Sequence, residues 1–250
     1  MSNETVLVCL PAAESASPLA DRLHAVMHPY DAELDPVAGK WDRWAVCGGF
    51  GRFLLPVKEG CEDDPRLVRS PVDMMGRARV PDPTRSDGGP MELMDFARDK
   101  RQSIEKNSRR WDAWYEIASQ HPRARRLADV AATSHLVGDA FAAASLAFGR
   151  QPAIQALMQR DGIDESEMLW NDFNDPVRIY GYDRAEFLKR VAAKAVSLSA
   201  LLQVDGRWIS GEDFGAEHDL ARWDRYDRHV DDYIGSLEPT DLVISVRIHS

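Results

Sequence analysis

The segment Leu242-Val-Ile-Ser-Val-Arg-Ile248 is mostly apolar and β-branched, and Thr5-Val-Leu-Val-Cys-Leu10 has the same character near the other end of the sequence. Continuous apolar runs of this kind are typical of strands that are covered on both faces of a sheet. We therefore expect these two segments to lie together in the interior of one sheet.

The surrounding patterns predict helices and further strands. Ser17-Pro18 is typical of a helix start, and an apolar stripe continues this helix to residue 28. Residues 218–237 carry a second apolar stripe at helical spacing. With strand-like residues at 41–57 and 204–209, the order of elements predicts an α+β domain with a ferredoxin-like, mixed or antiparallel sheet.

The middle of the chain has a different character. Residues 61–90 contain five prolines among Asp, Arg and Gly, which predicts a long irregular loop. Residues 91–203 have helical periodicity throughout, and their last predicted helix spans 184–203. We therefore predict a sheet domain formed by residues 1–60 and 204–250, the loop at 61–90, and a helical insertion or lobe at 91–203.

The charge balance limits the kinds of partner. The chain has 31 Lys and Arg residues against 41 Asp and Glu residues, which gives a net charge of −10. Because broad binding to nucleic acid or to an anionic membrane needs a basic face, both are disfavoured as partners. The basic runs at 98–110 and 123–126 leave room for a local basic patch only.

The cysteines and the apolar segments indicate a location in the cytoplasm. Cys9, Cys47 and Cys61 do not form a disulfide framework in a chain of this length, so reduced thiols are expected. No apolar stretch approaches the ~18 residues that indicate a membrane span, and the first residues lack the basic start of a secretory signal. No complete set of catalytic residues or metal ligands emerges, so we predict no cofactor and no metal, and an enzyme is not favoured.

Residues 41–57 carry the most unusual pattern. Aromatic and β-branched residues flank Gly48-Gly-Phe-Gly51, which predicts a β-hairpin with a glycine turn. Backbone N–H groups of such a turn could instead hold a phosphate, but the helix and the Lys-Ser/Thr pair of nucleotide-binding loops do not follow it. Cys47 beside the turn could act as a nucleophile only if the fold brought a histidine to it.

Residues 41–53, Trp-Asp-Arg-Trp-Ala-Val-Cys-Gly-Gly-Phe-Gly-Arg-Phe, resemble a family of uncharacterised actinobacterial phage proteins. Its members have an aromatic strand that leads into a Gly-Gly-Arg-Trp turn, usually after a Trp-Asp pair. Asp87-Gly-Gly-Pro90, Asp205-Gly-Arg-Trp208 and His249 after an apolar last strand also match. The sequence differs from the family at 50–53, where an extra residue precedes Arg-Phe, and at Arg247. The family has no established reaction, so the resemblance implies a phage setting and the host cell cytoplasm, without a mechanism.

Two polar clusters could hold a cation. Asp224, Asp227 and Asp231 share one helix face, and His24 and His28 lie one helical turn apart. Solvated helix faces are the simpler interpretation of both patterns.

These patterns favour a phage-encoded, soluble accessory protein that binds a host protein or a small, nucleotide-like signalling ligand. The binding residues are expected in the least regular segments, at Trp41, Trp44, Gly48, Gly49, Arg52, Arg207 and Trp208. One alternative is a small nucleotide-directed enzyme that uses the 48–51 turn and a nearby arginine to stabilise charge. The other alternative is a virion or assembly component.

Overall fold

A computed structural model describes the chain at residues 3–12, 17–37, 39–46, 52–73, 75–133, 140–161, 170, 174–216 and 221–249. The chain forms two compact units. Unit 1 consists of Met1–Arg101 and Ala192–Ser250, and unit 2 is the continuous segment Gln102–Val191. Unit 2 is therefore an insertion in unit 1, and it is shorter than the predicted insertion at both ends.

Strands and helices both contribute to the described part of the chain. The strands are β1 Asn3–Leu10, β2 Arg43–Val46, β3 Leu55–Pro56, β4 Arg85–Ser86, β5 Gly88–Pro90, β6 Ala200–Leu202, β7 Trp208–Ser210 and β8 Leu242–His249. The helices are α1 Leu19–Met27, α2 Phe96–Gln120, α3 Leu127–Thr133, α4 Ala140–Gly149, α5 Pro152–Asp161, α6 Pro176–Ile179, α7 Arg184–Lys194 and α8 Ala221–Ser236. This combination confirms the predicted α+β class. Among the described residues, no helix has both the length and the apolar character that crossing a lipid bilayer requires.

Strand β8 organises a six-stranded mixed sheet. It pairs antiparallel with β1 along the whole of both strands, from Asn3 opposite His249 to Leu10 opposite Leu242. On its other side, β8 pairs with β2 and β5. β1 also pairs in parallel with β6, so the strand order is β2-β8-β1-β6-β7 with β5 added to β8. The prediction that the two apolar segments share one sheet is confirmed.

The strand order departs from the ferredoxin-like arrangement. A split β-α-β motif places another strand between its two parallel strands, whereas β1 and β6 are direct neighbours. The two helices also lie on opposite faces of the sheet. Leu23 of α1 packs in the cluster that contains Val8, and Tyr226 of α8 packs in the cluster that contains Leu7.

This two-sided packing explains the continuous apolar run of β1. Successive side chains of a strand point to opposite faces, so Leu7 and Val8 enter different cores. Both side chains are fully buried, and each contributes about 1.5–3 kcal/mol to folding. An alternating pattern would have left one face of the sheet in water.

The hairpin predicted for residues 41–57 is wrong. β2 pairs with β8 of the large sheet, whereas β3 pairs with β4 in a separate two-stranded sheet. A local strand pattern indicates extended structure but does not specify the partner strand. For β2, pairing with the eight residues of β8 offers a longer edge than pairing with the two residues of β3. The glycine turn itself, residues 48–51, lies outside the described residues.

Residues 61–90 form more regular structure than the predicted irregular loop. The segment contains β4 and β5, and Val68 forms a β-bridge to Gly88. The Arg69 guanidinium donates hydrogen bonds to three backbone carbonyl oxygens, those of Glu62, Pro83 and Arg85. Polar contacts of this kind leave no periodic pattern in a sequence.

The helix predicted for residues 184–203 ends early. α7 stops at Lys194, and Ala200–Leu202 forms β6 beside β1. Leu201 and Leu202 are fully buried, on the two faces of the sheet. A short run buried on both faces fits a helical spacing as well as an extended one, so periodicity could not separate the two.

Tyr226 of α8 carries a buried hydroxyl without a hydrogen-bond partner among the described residues. Burial raises the pKa of this phenol above its ordinary value. Because an unpaired buried hydroxyl is destabilising, we expect Tyr226→Phe to raise the free energy of unfolding by about 1 kcal/mol. Urea denaturation of the two proteins measures this difference.

Tyr233 is the matched control for this substitution. It lies on the same helix, and its hydroxyl oxygen accepts a hydrogen bond from the backbone N–H of Val204 at 2.8 Å. Tyr233→Phe should therefore lower the free energy of unfolding by about 1 kcal/mol. Equal losses in both variants would show that the Tyr226 hydroxyl is also paired.

Candidate functional site

The two predicted tryptophans of the 41–57 segment have different roles. Trp41 is buried, and its indole N–H donates to the carbonyl oxygen of Met27 at 3.2 Å, so it is a core residue. Trp44 lies on β2 and is only half-buried, with its ring nearly perpendicular to that of Trp41 at 6.5 Å. Of the two, Trp44 is the residue that a ligand or partner can reach.

The other predicted pair lies where the turn after β6 leads into β7, with Arg207 in the turn and Trp208 as the first residue of β7. The Trp208 ring packs 5.1 Å from that of Tyr30, and its backbone N–H donates to the Tyr30 hydroxyl at 3.0 Å. That hydroxyl in turn donates to the carbonyl oxygen of Gly206. Trp208 is thus held as part of the structure, while the Arg207 side chain is exposed.

The predicted residues do not form one surface. β2 and β7 are the two outer strands of the sheet, so Trp44 and Arg207 are separated by four strand spacings, roughly 19 Å. Arg52 is exposed, and its carbonyl oxygen accepts a hydrogen bond from Arg79. Gly48 and Gly49 lie outside the described residues.

Trp44 lines a groove in unit 1 with a volume of about 260 Å³. α1 and the β2 edge form the two walls, and residues 68–70 close one side. The lining is mostly apolar and consists of Leu19, Ala20, Leu23, Trp44, Val46 and Val68, with Arg69 and Ser70 beside them. A concave, apolar surface with a tryptophan is typical of a site that takes up apolar side chains.

The outer edge of β2 runs along this groove. β2 pairs with β8 on one side, and no described residue forms a backbone hydrogen bond with its other side. An edge strand presents unpaired N–H and C=O groups that can pair with another extended chain. The groove therefore combines apolar contacts with backbone hydrogen-bonding capacity.

Residues 71–73 and 75–80 follow the groove residues along the chain, and we call them the apolar arm. Among its described residues, three large apolar side chains are exposed: Val72 by 42%, Met75 by 76% and Val80 by 77%. The backbone N–H and the guanidinium of Arg77 both donate to Asp73, which holds the pKa of that carboxyl below its usual range. The arm therefore has an internal structure while its apolar side chains face solvent.

A buried ion pair fixes the base of the apolar arm. The guanidinium of Arg79 lies 2.7 Å from the Asp87 carboxylate, and the two side chains are 1% and 0% exposed. The same guanidinium stacks on the Phe53 ring at 3.9 Å. Asp87 also accepts the backbone N–H of Ser70 at 2.7 Å, which connects the pair to the groove.

The two polar clusters that could have held a cation do not form a metal site in the described part of the chain. Among the described residues, no three His, Cys, Asp or Glu side chains converge as metal ligands. Asp231 forms an ion pair with Lys100, and Asp227 accepts a hydrogen bond from the Ser197 hydroxyl. Asp227 is also buried, so the interpretation of this helix face as fully solvated is wrong at that position.

The sequence does not predict the groove residues from α1 and from 68–70, because the former look like ordinary core positions and the latter lie in the segment predicted as an irregular loop. The signal for the apolar arm was present, since valine and methionine are unusual in a segment rich in Pro, Asp and Arg. Comparison with protein-family models, with curated proteins and with solved structures gives no match.

Proposed function

We propose that this protein acts by binding another protein, which lays an extended segment along the outer edge of β2. The observation that supports this proposal is the apolar groove beside an edge strand that has no outer partner among the described residues. Addition of a strand to an exposed sheet edge is a recurring mode of peptide recognition. Backbone hydrogen bonds provide affinity in this mode, and side-chain pockets provide specificity.

The geometry sets the character of the bound segment. β2 spans four residues, so the added strand is about 13 Å long. Trp44 and Val46 are two positions apart and face the same groove, so every second side chain of the partner should be apolar. Tryptophan at the centre of such a contact is often the residue whose removal costs most binding energy.

The apolar arm extends the proposed interface. Its exposed Met75 and Val80 provide apolar surface that water solvates poorly, and binding of the same partner would cover it. Because the Arg79–Asp87 pair fixes the base of the arm, little conformational freedom is lost when the partner binds.

The setting of this interaction is part of the same proposal. The resemblance at residues 41–53 suggests a phage-encoded accessory protein, so the partner is a protein of the bacterial host. Cys9 and Cys61 are free thiols, which suits the reducing cytoplasm of the host cell.

An affinity experiment with matched variants tests the proposal. Wild type, Trp44→Ala, Val46→Asp and Arg207→Ala are immobilised, and an actinobacterial host lysate is passed over each. We expect a partner that wild type and Arg207→Ala retain equally, since Arg207 lies on the opposite sheet edge. Trp44→Ala should weaken its binding about tenfold or more, and Val46→Asp should do the same by placing a charge in the groove.

Two further measurements complete this test. Thermal melting must show that the variants are folded, because Trp44 also contacts the core. Hydrogen exchange with the purified partner should then show protection of the amides at 43–46. The proposal fails if wild type and Trp44→Ala retain the same proteins, or if neither retains any.

A further inference from the structure

Unit 2 contains a pocket that the proposed function does not use. Its volume is about 440 Å³, within the range of sites for small organic ligands. One wall is the segment 123–126, and the other is formed by Val177 and Arg178 of α6 together with Gly181 and Tyr182, which follow that helix. All of these residues belong to the continuous segment of unit 2.

The pocket concentrates positive charge in an acidic protein. Among the described residues, four arginines line it, Arg123, Arg125, Arg126 and Arg178, together with one carboxylate, Asp129, while the buried Asp175 carboxylate lies near Arg126. The whole chain has a net charge of −10, so this local excess of guanidinium groups is opposite in sign to the rest of the molecule. A concave site that is lined by several guanidinium groups favours an anionic ligand.

Two buried or half-buried side chains hold the walls in place. The Asp175 carboxylate, 1% exposed, accepts the backbone N–H groups of Leu127 at 2.9 Å and Val177 at 2.8 Å. It therefore joins the start of α3 to the start of α6, which are the ends of the two walls. Burial raises the pKa of this carboxyl, and these N–H donors act against that rise.

Gln151 fixes the arginine segment from a second direction. Its side-chain oxygen accepts the backbone N–H of Arg125 at 2.6 Å, and its side-chain nitrogen donates to the Arg125 carbonyl oxygen at 3.0 Å. This pair of bonds fixes the backbone of the segment 123–126, which carries three arginines. A site whose backbone is already ordered loses less conformational entropy when a ligand binds.

Arg178 and Tyr182 define the opposite wall. A Cβ at Gly181 would lie 2.8 Å from the carbonyl oxygen of Val177, so glycine allows the chain to turn tightly after α6. The Arg190 guanidinium stacks on the Tyr182 ring at 3.8 Å, which fixes the orientation of that ring. The pocket thus has cationic groups on both walls and an aromatic side chain at its rim.

We infer that this pocket binds a phosphorylated small molecule, whose phosphate oxygens pair with guanidinium groups from the two walls. Guanidinium groups present paired N–H donors that match phosphate geometry, and such charge-assisted bonds are the stronger class of hydrogen bond. The concave shape and the acidic remainder of the chain favour a small ligand over a nucleic acid, which would need an extended basic surface.

Isothermal titration calorimetry of the 250-residue chain tests this inference. The probes are ADP, inorganic pyrophosphate, adenosine and a single-stranded oligonucleotide. We expect ADP and pyrophosphate to bind, adenosine not to bind, and the affinity of both phosphate ligands to fall with rising salt. Comparison of ADP with pyrophosphate shows whether the ligand is a nucleotide or an inorganic phosphate.

A double variant assigns the binding to the pocket. Arg123→Gln with Arg126→Gln removes two exposed guanidinium groups, and we expect it to weaken binding of both phosphate ligands at least tenfold. The control, Arg109→Gln with Arg160→Gln, removes the same charge from exposed positions of unit 2 that do not line the pocket, and it should change affinity less than twofold.

Four results would overturn the inference. The first is no binding of ADP or pyrophosphate to the wild type at about 1 mM. The second is equal weakening in the pocket and control variants, which would indicate a non-specific charge effect. The third is binding of adenosine as tight as that of ADP, and the fourth is tighter binding of the oligonucleotide than of either phosphate ligand.

Discussion

Arg79→Met is expected to lower the free energy of unfolding by about 3–5 kcal/mol. The substitution keeps much of the side-chain volume but removes the cation that faces Asp87. Both side chains are almost completely buried, so the remaining carboxylate would have neither solvent nor its ionic partner. Removal of one member of a buried pair is costly because the other charge stays in a medium of low polarity. Urea denaturation at neutral pH measures the loss.

A second pair in the same arm provides the control. Arg77 lies 2.8 Å from Asp73, but its side chain is 64% exposed. Arg77→Met should therefore cost no more than about 0.5 kcal/mol. Addition of Asp87→Asn to Arg79→Met should restore part of the lost stability, because no lone charge then remains buried. A double variant that is less stable than Arg79→Met would contradict this electrostatic explanation.

Gly88→Ala is expected to lower the free energy of unfolding by about 3 kcal/mol. A Cβ at this position would collide with the carbonyl oxygen of Val243 and with the backbone and side chain of Ile244, both on β8. Backbone cannot rotate away as a flexible side chain can, so β5 would have to move off the sheet. Thermal or urea denaturation measures the loss, and hydrogen exchange at residues 243–244 should increase.

Gly235 is the control for this substitution, with an effect of opposite sign. It lies on α8, and apart from its own stretch of helix no atom of the described residues lies within 4 Å of the place where its Cβ would be. Because alanine favours the helix more than glycine does, Gly235→Ala should raise the free energy of unfolding by about 0.5–1 kcal/mol. A similar loss at both positions would show that the tight approach at Gly88 is not the cause.

The segments that a sequence pattern locates well are those that are buried on both faces. β1 is a continuous apolar run and β8 a mostly apolar one, because side chains enter cores on both faces of the sheet, as Leu7 and Val8 do. The sequence therefore predicts that both strands lie inside one sheet. Burial on both faces is also the reason why the helix predicted for 200–202 is wrong. A three-residue apolar strand next to a genuine helix gives no periodic signal of its own.

Segments held by polar contacts could not be predicted in this way. Residues 61–90 are ordered by Arg69, which donates to backbone carbonyl groups, and by the Arg79–Asp87 pair. Their partners are set by the three-dimensional fold, and proline-rich composition alone indicates only a loop. The sequence shows the residue types, but it does not show which of these residues lie within hydrogen-bonding distance of one another.

For the candidate sites, too, the sequence predicts single residues but not how the fold brings them together. The sequence singled out Trp44, but the groove beside it is assembled from α1, β2 and residues 68–70, which are far apart along the chain. Likewise, the arginines at 123–126 were recognised as a basic run. Their concave arrangement depends on Gln151 and Asp175, and no local pattern connects these two residues to the run.

The pairing of β1 with β8 constrains how this protein can fold as it leaves the ribosome. The hydrogen bond from Ala12 to Asp241 beside these strands joins positions 229 residues apart. Until β8 has been translated, β1 therefore lacks the strand with which it forms its longest pairing. During that time its apolar side chains are exposed, so that they must be shielded by a chaperone or can aggregate. Unit 2 has no such delay, because all of Gln102–Val191 is synthesised before β8. We therefore expect a nascent chain in which the insertion is already folded while the unit that contains it is still open.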